Sequence, residues 1–281
     1  MTGIRDRIRT LTRAGRAPVS ATATLAGISE VAPSYTRVRL VAPGLEAYRP
    51  TLPADGIKLE VPHGTGTSMR AFSVAARPAV DVVEVDILRH DGGVVGDWIR
   101  SARAGDRLRV HAVRREYAIG DGIETHLVIA DSSALPAAAS IVRSIPAAHR
   151  VHAWVHAPVQ ADIDSLLPAH PGLDLHPRIG ADWGEGLLTE LALVLALGQT
   201  ARLQAWVAAE AGTAAALRRK LTGAGVSRDD LFAAAYWKRG RDGTDRGRQI
   251  MAAFLRAQET AADLTDPSIR AELEALADEE L

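Results

Sequence analysis

Between residues 19 and 43, apolar and polar positions trade places at nearly every step. Val19-Ser-Ala-Thr-Ala-Thr-Leu25 and Tyr35-Thr-Arg-Val-Arg-Leu-Val41 have a period of two, that of a strand with one buried face. Similar runs lie near 57–61, 70–75, 82–89 and 107–113, with breakers at Pro33, Pro43-Gly44 and Ala104-Gly105-Asp106. The pattern predicts six antiparallel strands. A six-stranded antiparallel β-barrel is the closure that leaves no bare edge. Trp98 to Ala102 predicts a short helix.

The pattern changes after Gly120-Asp121-Gly122. His126-Leu-Val-Ile-Ala130, Val151-His-Ala-Trp-Val-His156, Leu173-Asp-Leu-His176, Leu203-Gln-Ala-Trp-Val207 and Leu231-Phe-Ala-Ala-Ala-Tyr236 read as further strands. Helices are predicted at 134–144, 186–197 and 211–223. Asp131-Ser-Ser133 caps the first of these, and Pro136 lies in its first turn. Strand and helix in alternation argue a parallel sheet with helices on both faces. The expected organisation is an N-terminal arm (1–17), a barrel domain (18–120), an α/β domain (121–242) and a helical C-terminal tail (243–281). In the tail, Ile269, Leu273 and Leu276 share one helix face. The arginine-rich arm is expected to be a solvated start, with a short basic helix as the other option.

Composition narrows the chemistry. The 281 residues carry a net charge of −1 and no cysteine. Disulfides, thiol catalysis, thiolate zinc and cysteine-bound iron–sulfur clusters are excluded, so an electron carrier would be a non-covalent organic cofactor. A neutral chain offers no nucleic-acid footprint. No apolar run reaches membrane-spanning length, and the first residues lack a signal peptide's apolar region, so a cytoplasmic location is expected. Among 33 basic residues the lysines are Lys58, Lys220 and Lys238 alone. His152, Trp154 and His156 alternate on one strand face. No carboxylate or further histidine stands at a matching spacing, so no metal site is predicted.

The densest candidate chemistry is Arg70-Ala-Phe72-Ser73-Val74, followed by His90-Asp-Gly92-Gly93-Val94-Val95-Gly96-Asp97-Trp98. An arginine can grip a diphosphate through two parallel hydrogen bonds. An aromatic ring can lie against a flavin, and a hydroxyl can reach a ring nitrogen. The glycines let backbone amides approach phosphates. An ordinary barrel strand and glycine turn would satisfy the same residues.

These two runs resemble those of the siderophore-interacting protein family, flavin-dependent ferric-siderophore reductases related to ferredoxin reductases. Three later stretches resemble it as well: Ala130-Asp131-Ser132-Ser133-Ala134-Leu135-Pro136-Ala137, Ala205-Trp206-Val207-Ala208-Ala209-Glu210-Ala211-Gly212, and Ala235-Tyr236-Trp237-Lys238-Arg239-Gly240. The resemblance spans about residues 18–241. It implies FAD as cofactor, with FMN as the other option, and NAD(P)H or reduced ferredoxin as electron donor. The implied substrate is a ferric siderophore or another small-molecule ligand. The implied cofactor-binding residues are Arg70, Phe72, Ser73, Val74, His90, Gly93, Val94, Val95, Gly96 and Trp98 in the barrel, with Asp131, Ser133 and Glu210 in the second domain. Lys58, Trp237, Lys238 and Arg239 would handle the substrate. Asp131-Ser-Ser133 and Glu210 also read as plain helix caps, and Trp237 as a core aromatic.

The chain departs from the family pattern near the flavin motif. Phe72 replaces a tyrosine. Ala75 stands at the position after Val74 that usually holds a second arginine, with Arg77 nearby. Val94-Val95-Gly96 replaces Pro-Ala-Ser, and Asp97 adds a negative charge. Alanine replaces glycine at 130, 209 and 235. These changes keep two other readings open on the same fold. One is a biosynthetic cyclase or isomerase using the interdomain cleft, and the other is a non-redox ligand binder.

Overall fold

The computed structural model describes residues 2–14, 21–47, 51–90, 92–180 and 202–239. The alternating half forms β1 (Ala21–Ala32), β2 (Tyr35–Val41), β3 (Gly56–His63), β4 (Gly66–Ala79), β5 (Val82–Leu88) and β6 (Arg107–Arg114). These close into a barrel in the order β1-β2-β5-β4-β3-β6, every pair antiparallel. The period of two sends Leu25, Leu40, Ile57, Leu59, Val85 and Val110 inside. Helix α2 (Gly93–Ser101) lays Val94 and Trp98 against that core. It begins five residues before the expected start, because the glycines of its first turn read as a loop.

The second half forms β7 (Thr125–Ala130), β8 (Arg150–Ala157), β9 (Leu173–Ile179), β10 (Leu203–Glu210) and β11 (Leu231–Trp237). All pair in parallel, in the order β11-β10-β7-β8-β9. Helices α3 (Leu135–Ser144), α4 (Gln160–Leu166) and α5 (Ala211–Gly223) cover the sheet. On β7, Val128 and Ala130 join the α3 side, while Leu127 and Ile129 join the α5 side. Such strands are buried on both faces, which is why they read as continuous apolar runs. The barrel and parallel sheet expected from the pattern are the architecture observed. The predicted helix at 186–197 and the tail at 243–281 lie outside the described residues.

The N-terminal arm corrects its expectation. It holds helix α1 (Ile4–Ala14), whose Ile4 and Ile8 are buried against the sheet core beside Leu11. That stripe at i, i+4 and i+7 is diluted by arginines in the sequence. Gly3 permits the docking, since a Cβ there would stand 2.3 Å from the Asp229 carbonyl oxygen.

Helix α3 joins the two halves. The Ala54 amide donates to Ser140 Oγ at 2.7 Å. The Tyr35 hydroxyl donates to the Ser132 carbonyl at 2.6 Å. Ala32, Tyr35 and Ala54 of the barrel half share one apolar cluster with Ala137, Ile141 and Val142 of α3.

A buried histidine makes this fold sensitive to acid. His126 is fully buried on β7, with Nδ1 2.8 Å from the Tyr117 hydroxyl and Nε2 3.0 Å from His149 Nδ1. Burial, then the nearby His149 and His170, push its pKa down to about 3 from 6.5. The unfolded chain therefore takes up a proton below pH 6.5 that the folded chain refuses. Stability from this group is complete above that pH and falls as pH drops toward 3, by at most about 1.4 kcal/mol per pH unit. Urea unfolding across pH 7 to 4 should show this slope, and His126→Gln should flatten it.

Candidate functional site

Strand β4 carries Arg70, Phe72, Ser73 and Val74 along the barrel wall. Arg70 Nη1 donates to Ser68 Oγ at 2.6 Å and to the Met69 carbonyl at 2.9 Å, which folds the half-buried guanidinium back along its own strand. The Phe72 ring meets Trp98 at a centroid distance of 6.4 Å, tilted by 46°. The alternate residue Val74 points into the barrel core, and its amide donates to the Asp55 carbonyl at 2.7 Å. By the period of two, Arg70 and Phe72 lie on the side of Val74, where the half-buried Phe72 packs against the edge of the barrel core, and Ser73 lies on the other.

Helix α2 packs on β3 and meets this strand where Trp98 reaches Phe72. Gly92 is its N-cap residue, with φ 77° and no side-chain cap hydrogen bond. Gly93 follows at φ 76°. A methyl at Gly92 would meet nothing within 4 Å. The first-turn amides, with the positive end of the helix dipole, suit an anion. Gly96 has a different purpose, because a Cβ there would stand 3.0 Å from the His90 carbonyl. His90 is exposed, Val94 and Trp98 are buried in the barrel core, and Val95 is half-buried. Asp97 pairs with Arg100 one turn along the helix, which offsets the charge it brings to this end.

The carboxyl ends of β7, β10 and β11 form the facing wall. Their order reverses between β7 and β10, the position where open parallel sheets hold ligands. Asp131 is buried here. Its Oδ1 accepts from the Ser133 amide at 2.9 Å and also from the Ser133 hydroxyl. Its Oδ2 accepts from Trp237 Nε1 at 2.7 Å. Glu210 caps α5, accepting from the Gly212 amide at 2.7 Å and the Thr213 amide at 3.1 Å. Its other oxygen accepts from the Arg239 amide at 3.3 Å. Burial opposes ionisation of Glu210, but these three amides outweigh it and hold the carboxyl below its usual range. Both carboxylates act as caps that shape their loops. Trp237 is 42% exposed, so it is not a core aromatic. Lys238 is half-buried and Arg239 exposed beside it.

Tyr236 spans the space between the walls. Its hydroxyl lies 3.5 Å from Ser73 Oγ and donates to Glu116 Oε2 at 2.7 Å. Glu116 is buried and pairs with Arg114 at 3.1 Å. Burial first, then the Glu116 charge, push the Tyr236 pKa well up, so it stays a neutral donor. The strand register places Gly56 opposite both Ser73 and Arg114, with Lys58 two residues along β3. Lys58 and Lys238 thus stand within two residues of the groups flanking this contact. Tyr236 and Glu116 escaped the sequence reading, since a tyrosine ending an apolar strand reads as core. Arg77 spends its guanidinium on Thr51 and on the Leu45 and Val80 carbonyls, so it does not stand in for the missing second arginine.

A flavin dinucleotide fits these residues at its diphosphate. The uncapped, glycine-opened start of α2 and the guanidinium on β4 are the kinds of group, amides and a fixed charge, that would hold it. Phe72 offers a ring face, and Ser73 a hydroxyl oriented by Tyr236.

Known proteins share this layout. A family model described as siderophore-interacting FAD-binding domain matches residues 23–116, and one described as siderophore-interacting protein matches residues 123–240. The mycobactin import ATP-binding/permease protein IrtA of Mycolicibacterium thermoresistibile is 28% identical over 239 residues, covering 80% of this chain and 26% of IrtA. The chain therefore spans about a quarter of that relative's length. The solved siderophore-interacting protein from Acinetobacter baumannii is 23% identical at a TM-score of 0.70, covering 86% of this chain and 97% of that one. The ferredoxin reductase of carbazole 1,9a-dioxygenase has the same fold, with 20% identity and a TM-score of 0.60 over 77% of this chain and 68% of its own.

The double hold of Asp131 on its loop and on Trp237 yields a stability prediction. Asp131→Ala strands the Ser133 amide and the Trp237 indole N–H together. It should cost about 1–3 kcal/mol, read from urea unfolding, while Ser133→Ala, which keeps both of those donors paired, should cost less.

Proposed function

Because the chain belongs to the siderophore-interacting protein family, we propose that it is a flavin-dependent reductase of ferric siderophores, releasing iron by single-electron reduction of Fe(III) to Fe(II). The observation that carries the reading is the contact between Ser73 of β4 and Tyr236 at the carboxyl end of β11, which sets the Arg70-Ala-Phe72-Ser73 strand against the parallel sheet. In this reading Arg70 and the first amides of α2 hold the diphosphate of FAD. Phe72 would offer the flavin a ring face, and Ser73 a hydroxyl. When bound, the flavin supplies the exchange between a two-electron donor and a one-electron acceptor.

The remaining residues orient the partners. Asp131 and Glu210 hold the loops at the sheet's carboxyl edge in shape for a donor, NAD(P)H or reduced ferredoxin. Lys58, Lys238 and Arg239 draw an anionic chelate toward the cleft, and Trp237 offers it an exposed aromatic face. Each Fe(III) takes one electron, so one hydride donor serves two chelates. Oxygen-donor siderophores hold the harder Fe(III) far better than Fe(II), so reduction loosens the metal. The protein itself need not ligate that iron.

The visible absorbance of the purified protein is the first test. A yellow protein, or one that turns yellow on FAD titration and releases Fe(II) from a ferric chelate when given NAD(P)H or reduced ferredoxin, is the expected result. Arg70→Ala should weaken FAD binding by about tenfold or more, the scale of a lost charged hydrogen bond. Lys238→Glu should raise KM for an anionic ferric chelate more than it lowers kcat, and added salt should shrink that difference. A colourless protein that takes up no flavin overturns the assignment and leaves a non-redox ligand site in the same cleft.

A further inference from the structure

We propose that His152, Asp174 and His176 form a binding site for a divalent transition-metal ion of the zinc class, toward the amino ends of β8 and β9. This places the site away from the carboxyl ends of the sheet strands, where Asp131 and Glu210 lie. The parallel register sets His152 opposite Asp174, and Trp154 opposite His176. Opposed residues of paired strands share a face, so the three side chains converge although they are scattered along the chain. His156, the other histidine on that side of β8, is spent elsewhere, with Nε2 2.6 Å from the Gly180 carbonyl oxygen.

The geometry is that of a chelating set. Asp174 Oδ2 lies 3.1 Å from His152 Nδ1 and 3.1 Å from His176 Nε2. All three ligand atoms fall within 4.8 Å of one another. Tetrahedral zinc with nitrogen and oxygen ligands sets neighbouring donor atoms about 3.3 Å apart. Two of the three separations are therefore near the needed value, and a small rotation of His152 closes the third.

His176 carries a second, independent sign. Its Nε2 is shielded from solvent, and its 3.1 Å approach to Asp174 is poorly aligned for a hydrogen bond. A lone pair so placed suits a metal ion better than a shared proton. The ring is held in place by stacking on the fully buried Trp154, with centroids 4.0 Å apart and planes 4° from parallel.

Two imidazoles and one carboxylate are borderline donors, suited to Zn²⁺ and its neighbours rather than to Mg²⁺ or Ca²⁺. The Asp174 side chain is 56% exposed, so the remaining coordination positions open to solvent. A metal held by three protein ligands with such a position can also bind water or a substrate donor atom. Binding would displace the proton shared between His152 and Asp174.

Calorimetric titration of the untagged full chain with Zn²⁺ tests the site. One Zn²⁺ per chain is expected, weakened by about tenfold or more in Asp174→Asn and in His176→Gln. His63→Ala, which removes an exposed histidine on β3, should leave binding unchanged. Co²⁺ should quench the indole emission of Trp154, and His176→Gln should abolish that quenching. Should either variant lose cooperative unfolding, His152→Gln supplies the same comparison. Absence of Zn²⁺ uptake by the unmodified chain, or uptake that survives these substitutions, overturns the proposal.

Discussion

The arrangement of the cleft depends on where α3 sits. One face of this helix packs on the sheet and another on the flank of the barrel, so a single apolar cluster belongs to both halves. Apolar packing alone leaves freedom to slide. Two part-buried hydrogen bonds, from Tyr35 to the Ser132 carbonyl and from the Ala54 amide to Ser140, remove it. Each donor or acceptor would be stranded if the halves shifted, at about 1–3 kcal/mol apiece. That constraint brings β4 of the barrel within reach of the end of β11. The contact between Ser73 and Tyr236 follows from it.

Legibility in the sequence tracked the range of the interaction. The barrel was readable because burial of one strand face imposes a period of two that neighbouring residues carry by themselves. The parallel strands were readable for a related reason, since burial on both faces demands an unbroken apolar run. Helix α1 was less legible, because its apolar stripe of Ile4, Ile8 and Leu11 is set among arginines whose charges say surface. Its docking depends on Gly3 meeting Asp229, a contact between opposite ends of the described chain. Local pattern carries no record of such a meeting.

The functional residues divide along the same line. Asp131 follows β7 and Glu210 ends β10, the strand ends that the apolar runs predict. Whether each was a ligand group or a cap was undecidable, because a carboxylate that accepts two backbone amides answers the same chemical demand as one that faces a cofactor. Only the partners distinguish them, and here the partners are Ser133, Trp237, Gly212 and Thr213. The convergence of His152, Asp174 and His176 was hidden for a different reason. The spacing that matters there is the 4.8 Å between strands, which separates His152 from Asp174 by 22 residues along the chain.

The departures from the family pattern weigh less in three dimensions than in one. Asp97 would repel a diphosphate if it stood alone at the start of α2, yet it is paired with Arg100. Ala130 carries a methyl where the family pattern described above has glycine, and that residue belongs to the cluster beneath α3. Gly96 replaces a serine, and the space its side chain would occupy is taken by the His90 carbonyl. Phe72 keeps the ring face and surrenders only a hydroxyl. The second arginine is a loss without a counterpart, since Arg77 is committed to backbone carbonyls of neighbouring loops. Charge for the diphosphate then rests on Arg70 and on the dipole of α2. In the proposed reading, this makes Arg70 the residue whose removal the site tolerates least.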